Sequence, residues 1–214
     1  MNARLLSASL AIAFTAVALL ALAGLHVLSP EFDPGRRVVS EYALGRHGWL
    51  LSVMFLSWGL GTWSLVPAIQ ADVNTFPGRI GLVLLVFTGL GEALAAFFDV
   101  NWPKMHGLAG ALGVLSLPVA AMLISTSLSR DPFWRSQRRM LLAVANLTWL
   151  ALVLMATAML YLGSKSTNRH VPIGWPNRLL VVIYCVWVLL VGLIALCARR
   201  DATSGQSEHV ETRR

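Results

Sequence analysis

The sequence predicts an all-α fold, a polytopic integral membrane protein built as a six-transmembrane-helix bundle. Of its 214 residues, 57% are hydrophobic and only 13% are charged, which lies outside the usual range of soluble domains. The apolar residues also form continuous blocks of roughly 20, the length that crosses a hydrocarbon core of about 30 Å. Six such blocks follow one another, at residues 5–28, 49–69, 80–98, 108–128, 140–163 and 179–198.

The first block predicts a membrane anchor. An Ala-Leu-Ala sequence at 21–23 resembles a signal-peptidase site, but the block is longer than the apolar part of a signal peptide, about 7–15 residues. We therefore expect it to be retained. In the loop that follows, Asp33 before Pro34 predicts the start of a short interfacial helix. Val38, Val39 and Tyr42 would lie on one face of that helix.

Small residues in the second and fourth blocks predict close packing between helices. The second block contains Ser57, Gly59 and Gly61, and the fourth begins with Gly107, Gly110 and Gly113. We expect each set to line a helix–helix seam and not a lipid-facing surface.

Glu92 in the third block is the only carboxylate well inside an apolar block. A charge at the bilayer centre costs at least ~2.5 kcal/mol, so such a group is paired, protonated or turned towards a cavity. Its candidate partners are Arg178 and His26. The alternative is a neutral acid hydrogen-bonded to a neighbouring helix.

The last two blocks carry few polar groups. Asn146 and Thr148 in the fifth are candidates for interhelical hydrogen bonds. Cys185 and Cys197 in the sixth would be roughly 18 Å apart on one helix, too far for a disulfide. The polar residues 199–214 are predicted to form a disordered cytoplasmic tail.

The basic residues predict the orientation. The net charge of +7 arises from residues that flank the apolar blocks, which favours a membrane and argues against nucleic acid as a partner. Six spans place both termini on one side, where ten Lys and Arg residues lie against seven on the other. The excess predicts cytoplasmic termini. The opposite side then receives His26, His47, His106 and His170, together with Ser40, Glu41 and Asp99.

This one-sided grouping supplies the candidate site residues. His26, Asp99 and His106 could form an acid–base couple or a metal site, although their spacing matches no compact zinc motif. The alternative is that they cap helix ends. No cofactor is predicted apart from a possible metal ion. Haem ligation by two of the histidines is not favoured by their spacing. The candidate ligand-binding residues are Ser40, Glu41, Tyr42, Glu92, Trp102 and Arg178.

Two simpler interpretations apply to some of these residues. Ser40 lies in no Gly-x-Ser-x-Gly elbow, and a loop serine is more often a cap or turn residue than a nucleophile. Tryptophans at the outer ends of the spans are typical of an interfacial belt, and here they are Trp49, Trp102 and Trp175.

Several short motifs resemble those of a known family. They are His26-x-x-Ser29-Pro30, Ser40-Glu41-Tyr42-Ala43, Gly48-Trp49, Phe98-Asp99, His106-Gly107, and Gly174 with Asn177-Arg178. Together they resemble a bacterial and archaeal family of six-span membrane proteins, domain of unknown function 998. A more distant similarity links the pattern to the Frag1/DRAM/Sfk1 group and so to membrane-lipid organisation. Some members place a further histidine after His-Gly, and its absence here weakens a metal site built on a histidine pair.

The resemblance implies a bacterial cytoplasmic (inner) membrane protein but no reaction. We expect an outward-facing polar pocket that binds a lipid headgroup or small ligand, or a module that supports other membrane proteins. The alternative is an intramembrane hydrolase or transferase acting on lipid, possibly metal-dependent, with His26, Asp99 and His106 as catalytic residues. A transporter ranks third, because only Glu92 lies clearly inside the bundle and no pair of broken helices is evident.

Overall fold

The computed structural model describes residues 3–164 and 172–211. Six long helices in these ranges have the length and apolar composition to cross a membrane. They are α1 (Ala3–Leu28), α2 (Gly48–Ile69), α3 (Phe76–Phe97), α4 (Pro103–Leu128), α5 (Arg138–Ser164) and α6 (Gly174–Glu211). Two 3₁₀ helices, Val39–Leu44 and Trp134–Gln137, lie in loops, and the described ranges contain no strand. The predicted all-α six-span bundle is confirmed.

The helices pack in chain order, and α1 also packs against α6, so that the bundle closes on itself. The span of α6 is the most buried of the six. Its side chains reach α4, since Tyr184 Oη donates to the Val114 carbonyl at 2.8 Å and Trp187 Nε1 donates to Ser125 Oγ at 3.1 Å. Helix α6 therefore joins the outer loops to the centre of the bundle.

Local capping explains where α3 begins. Thr75 Oγ1 accepts a hydrogen bond from the Gly78 amide at 3.1 Å, and Pro77 occupies the first turn. A threonine cap followed by an early proline is a helix start signal, since the proline lacks an N–H that would have no partner there. The helix thus begins at Phe76, before the predicted residue 80.

Helix α6 is longer at both ends than the predicted span 179–198. It begins at Gly174 and continues to Glu211. No proline lies between residues 198 and 211 to remove a backbone donor, and an existing helix gains one hydrogen bond for each residue added.

The predicted glycine seams are confirmed only in part. A Cβ on Gly59 would lie 2.8 Å from the Gly89 carbonyl, and one on Gly61 would lie 2.5 Å from Thr15 Oγ1. Gly113 lies in the seam between α3 and α4, but a Cβ on Gly107 or Gly110 would meet no atom within 4 Å, so the prediction is wrong for those two residues. Each step of three residues shifts the side chain by about 60° around the helix, so Gly107 points about 120° away from Gly113.

The interhelical hydrogen bonds predicted for the fifth block are wrong. Asn146 Nδ2 donates to the Leu142 carbonyl at 2.7 Å, and Thr148 Oγ1 donates to the Ala145 carbonyl at 2.7 Å. Both acceptors belong to the same helix, since short polar side chains reach the backbone of the preceding turn.

One end of the bundle holds the start of α1, the α2–α3 loop and the α4–α5 loop, and we call it the inner end. Polar contacts tie it together. Arg4 Nη1 at the start of α1 lies 3.6 Å from Asp72 Oδ1 in the α2–α3 loop. Trp134 Nε1 in the α4–α5 loop donates to Asp72 Oδ2 at 3.2 Å. The α1–α2 loop, the α3–α4 turn and the start of α6 lie at the other end, which we call the outer rim.

Candidate functional site

The α1–α2 loop turns at Asp33. Its Oδ1 atom accepts a hydrogen bond from the Gly35 amide at 2.8 Å, and its carbonyl accepts from Arg36 and Arg37 at 3.1 and 3.0 Å. The predicted helix start at this residue is therefore wrong, because the aspartate closes a turn on its own backbone. The 3₁₀ helix begins six residues later, at Val39.

The Glu41 side chain caps the start of this 3₁₀ helix. Its Oε2 atom accepts from the Val38 amide at 2.9 Å, and its Oε1 atom lies 2.8 Å from Arg37 Nη1. Val39 and Tyr42 face the core, with 2% and 1% of their surfaces exposed. These two share a buried face, as the sequence predicted.

The start of α6 is attached to this loop through its backbone and through the side chains of Asn177 and Arg178. The Gly174 amide donates to the Gly35 carbonyl at 3.0 Å, and Asn177 Oδ1 accepts from the Val39 amide at 2.7 Å. A Cβ on Gly174 would collide with the Pro34 carbonyl oxygen, so this close approach requires glycine.

Arg178 is the centre of the outer rim and is only 5% exposed. Its Nε donates to His26 Nε2 at 2.7 Å, and its Nη2 donates to Tyr42 Oη at 3.1 Å. Its Nη1 donates to the Arg37 and Gly174 carbonyls at 2.6 and 3.1 Å. We call Arg178, His26 and Tyr42 the rim network. Within the described ranges, no carboxylate oxygen lies within 4.0 Å of the guanidinium.

The hydrogen bonds of His26 define its tautomer. Its Nδ1 lies 2.6 Å from the Leu22 carbonyl, and its Nε2 faces the Nε–H of Arg178. A carbonyl only accepts and a guanidinium only donates, so Nδ1 carries the proton and Nε2 accepts. The ring also packs edge-on against Tyr42, with ring centroids 5.8 Å apart. Both ring nitrogens are therefore in use.

The three candidate catalytic residues do not contact one another. Asp99 Oδ1 accepts from the Asn101 amide at 2.8 Å, and His106 Nδ1 lies 2.8 Å from the carbonyl of Phe98, the residue that caps α3. No hydrogen bond joins any two of His26, Asp99 and His106 in the described chain. No group of three or more His, Cys, Asp or Glu residues there is placed to hold a metal ion. These contacts are those of residues that finish helix ends.

Glu92 does not reach either partner that the sequence suggested, so pairing with Arg178 or His26 is wrong. Its Oε2 atom accepts from Thr62 Oγ1 of α2 at 2.7 Å, and the residue is 4% exposed. Arg178 and His26 instead bond to each other in the rim network. The alternative of a hydrogen bond to a neighbouring helix is the one the structure shows.

A family model described as a protein of unknown function, DUF998, matches residues 8–194. The chain belongs to the DUF998 family. The matched range contains the rim network, Glu92 and the six apolar spans apart from the outermost residues. No curated protein and no solved structure matches this DUF998 chain. The similarity to the Frag1/DRAM/Sfk1 group stays a prediction.

The remaining candidate residues of this DUF998 protein occupy separate parts of the outer rim. The Ser40 side chain is partly buried and makes no hydrogen bond within the described chain. The tryptophans expected at the interface, Trp49, Trp102 and Trp175, are 62%, 60% and 59% exposed. The ring of Trp102 packs on Phe98 and not on the rim network. His170 lies outside the described residues.

Two interaction partners of the candidate residues were missed from the sequence. Thr62 is one of four hydroxyl residues in the second apolar block, and nothing local marks it as the partner of Glu92. Arg37 contributes to the rim network through its carbonyl, which no side-chain pattern reveals. The structure thus joins Tyr42 and Arg178 from the predicted ligand-binding set with His26 from the predicted catalytic set.

Proposed function

We propose that this chain is a non-enzymatic protein of the bacterial inner membrane, with cytoplasmic termini, that binds the anionic headgroup of a membrane lipid at the outer rim. The observation that carries the proposal is the Arg178 guanidinium, which is buried and contacts only neutral acceptors among the described residues.

The charge of Arg178 supports an anionic ligand. A buried charge without a counter-ion is unfavourable, and an anion would compensate it. A guanidinium has five N–H donors, and four hydrogen bonds occupy four of them here. The fifth, on Nη2, remains to bind a phosphate oxygen. Arginine suits such a ligand because its planar group matches the geometry of phosphate.

Exposed arginines extend this positive region into the headgroup layer. The side chains of Arg36 and Arg37 are 65% and 54% exposed, and they pair with Asp33 at 3.5 Å and Glu41 at 2.8 Å. Exposed ion pairs contribute little to stability, so either arginine can exchange its carboxylate for a lipid phosphate at small cost. The carbonyl of Arg37 is itself bound by Arg178, which couples the exposed and buried cations.

The hydrolase or transferase alternative receives less support. A general base needs a free acceptor atom within reach of the group it deprotonates. Both ring nitrogens of His26 are hydrogen-bonded, while Asp99 and His106 bond to the backbone near their own helix ends and, in the described chain, neither to His26 nor to each other. No contact in the described chain favours catalysis over binding.

Native mass spectrometry of the purified full chain tests the proposal. We expect phosphatidylglycerol to bind more tightly than phosphatidylcholine, and Arg178→Gln to weaken the binding of phosphatidylglycerol at least about tenfold. The reason is that a hydrogen bond to a charged group contributes about 1.5–3 kcal/mol, and 1.4 kcal/mol is tenfold.

The matched control is Arg130→Gln, an exposed arginine of the α4–α5 loop at the inner end. It should leave the binding unchanged. Arg37→Gln provides a second test at an exposed position, and we expect a smaller loss. Equal binding of the two lipids, or equal effects of Arg178→Gln and Arg130→Gln in folded protein, would contradict the proposal.

A further inference from the structure

Glu92 Oε1 and Trp58 Nε1 are buried polar atoms of membrane-spanning helices that have no protein partner within the described chain. Glu92 Oε1 and Trp58 Nε1 belong to residues that are 4% and 3% exposed, and neither atom makes a hydrogen bond. Leaving a buried polar atom unpaired costs about 1–3 kcal/mol. An ionisable residue within a membrane is a candidate functional site for the same reason.

Glu92 and Trp58 both lie close to Tyr184 of α6, and Thr62 of α2 links them. Trp58 and Thr62 are one turn apart on α2 and so share a face. Thr62 donates to Glu92 Oε2 at 2.7 Å, while the Trp58 ring packs edge-on against Tyr184 of α6, with ring centroids 6.4 Å apart. Tyr184 and Cys185 of α6 also lie close to Glu92.

In the part of the chain that the structure describes, no cation faces Glu92 from the helices packed around it. Helix α2 presents Thr62 and Trp58, and α6 presents Tyr184 and Cys185. From α4 the neighbour is Gly113, where a Cβ would lie 3.6 Å from Glu92 Cγ. Among the described residues no Lys, Arg or His nitrogen lies within 4.0 Å of the carboxyl group. A proton on the carboxylate would neutralise it without any protein cation.

We propose that Glu92 is an intramembrane proton-binding site, independent of the headgroup site at Arg178. The carboxylate takes a proton from water and returns it to water, so the exchange needs no other reactant. Thr62 is a positioning residue that donates to Oε2 and stabilises the charged form. The unpaired N–H of Trp58 lies one turn away on the same face of α2.

The test uses dicyclohexylcarbodiimide, an apolar reagent that reacts with protonated carboxyl groups in apolar surroundings. The full chain in detergent is labelled over a range of pH, and the adduct is mapped by mass spectrometry. We expect an adduct on Glu92 that decreases as pH rises and is lost in Glu92→Gln. In Thr62→Val it should persist to higher pH, because the charged form has lost its hydrogen-bond donor.

Three controls make the result specific. Glu31 in the exposed α1–α2 loop should react with a water-soluble carbodiimide and not with the apolar one. Arg178→Gln should leave the Glu92 adduct unchanged, which separates this site from the headgroup site. Infrared spectra should show a carboxylic-acid C=O band at low pH that disappears at high pH and is absent in Glu92→Gln.

Two outcomes would overturn the proposal. One is the absence of both the adduct and the C=O band on Glu92 at every pH. The other is an adduct and a band that do not change with pH, which would mean that the acid is protonated permanently and only structural.

Discussion

Arg178 connects the start of α6 to two segments that are distant from it in the sequence, the end of α1 and the α1–α2 loop. Its hydrogen bonds reach His26 at the end of α1, Tyr42 in the 3₁₀ helix and the backbone of the α1–α2 loop. The guanidinium carbon also lies 5.5 Å from the centroid of the Tyr42 ring. Because these partners are buried or partly buried, removing one leaves donors of a charged group without an acceptor. The rim network should therefore be sensitive to single substitutions.

Tyr42→Phe tests this sensitivity while keeping the aromatic ring. We expect the free energy of unfolding to fall by about 1.5–3 kcal/mol, because the substitution removes a hydrogen bond to a charged group. Denaturant unfolding of the purified protein in detergent measures the change. Ser40→Ala on the same 3₁₀ helix is the control, with an expected change within about 0.5 kcal/mol because its side chain makes no hydrogen bond in the described chain. Similar losses in both variants would show that the network is not the cause.

Helices α3 and α4 approach each other most closely where Gly91 faces Gly113. A Cβ on Gly91 would collide with the Gly113 amide and lie 2.6 Å from the Ala109 carbonyl. These are backbone atoms, which cannot rotate away as a side chain can. The small residues are therefore needed for the seam that positions Glu92 next to α4.

Two glycine substitutions separate packing from helix propensity. Gly91→Ala should destabilise the protein by about 1–3 kcal/mol, the usual cost of overpacking, because α3 and α4 have to move apart. Gly110→Ala should be neutral or stabilise by up to about 1 kcal/mol, since alanine favours a helix and its Cβ would meet no atom within 4 Å. Thermal unfolding in detergent compares the two variants. A lower melting temperature for Gly110→Ala than for Gly91→Ala would contradict the described packing.

The whole molecule has two chemically different ends. At the inner end, Asp72 ties the start of α1 to the α4–α5 loop. At the outer rim, Arg178 ties the end of α1 to the start of α6. This arrangement agrees with an even number of crossings, and the excess of basic residues predicts that the inner end faces the cytoplasm.

Cysteine labelling in intact cells tests that orientation. In a background carrying Cys185→Ala and Cys197→Ser, we expect Arg36→Cys and Lys104→Cys to react with a membrane-impermeant maleimide added outside. Arg130→Cys should react only after the cells are permeabilised. Reaction of Arg130→Cys alone in intact cells would reverse the orientation, and labelling of positions 36 and 104 from opposite sides would contradict the six-span topology.

The sequence predicted the helices well but the contacts of the site only in part. Block length located the spans to within a few residues, apart from the extended α6. The prediction that outer-loop polar residues gather at one end anticipated the contact between His26, Tyr42 and Arg178. The catalytic grouping of His26 with Asp99 and His106 found no supporting contact, because residues on the same side of a membrane can still lie on different helix pairs.

The sequence by itself determined that the chain forms six membrane-spanning helices with chemically different ends. It does so because backbone groups in hydrocarbon must satisfy their hydrogen bonds within their own segment, so the length of each apolar block defines a helix. Only the tertiary structure decided that Arg178 bonds to His26 and Tyr42, and that Glu92 bonds to Thr62. Those pairings depend on which helix faces meet, and the meeting is set by close packing at residues such as Gly91 and Gly174 that carry no polar signal of their own.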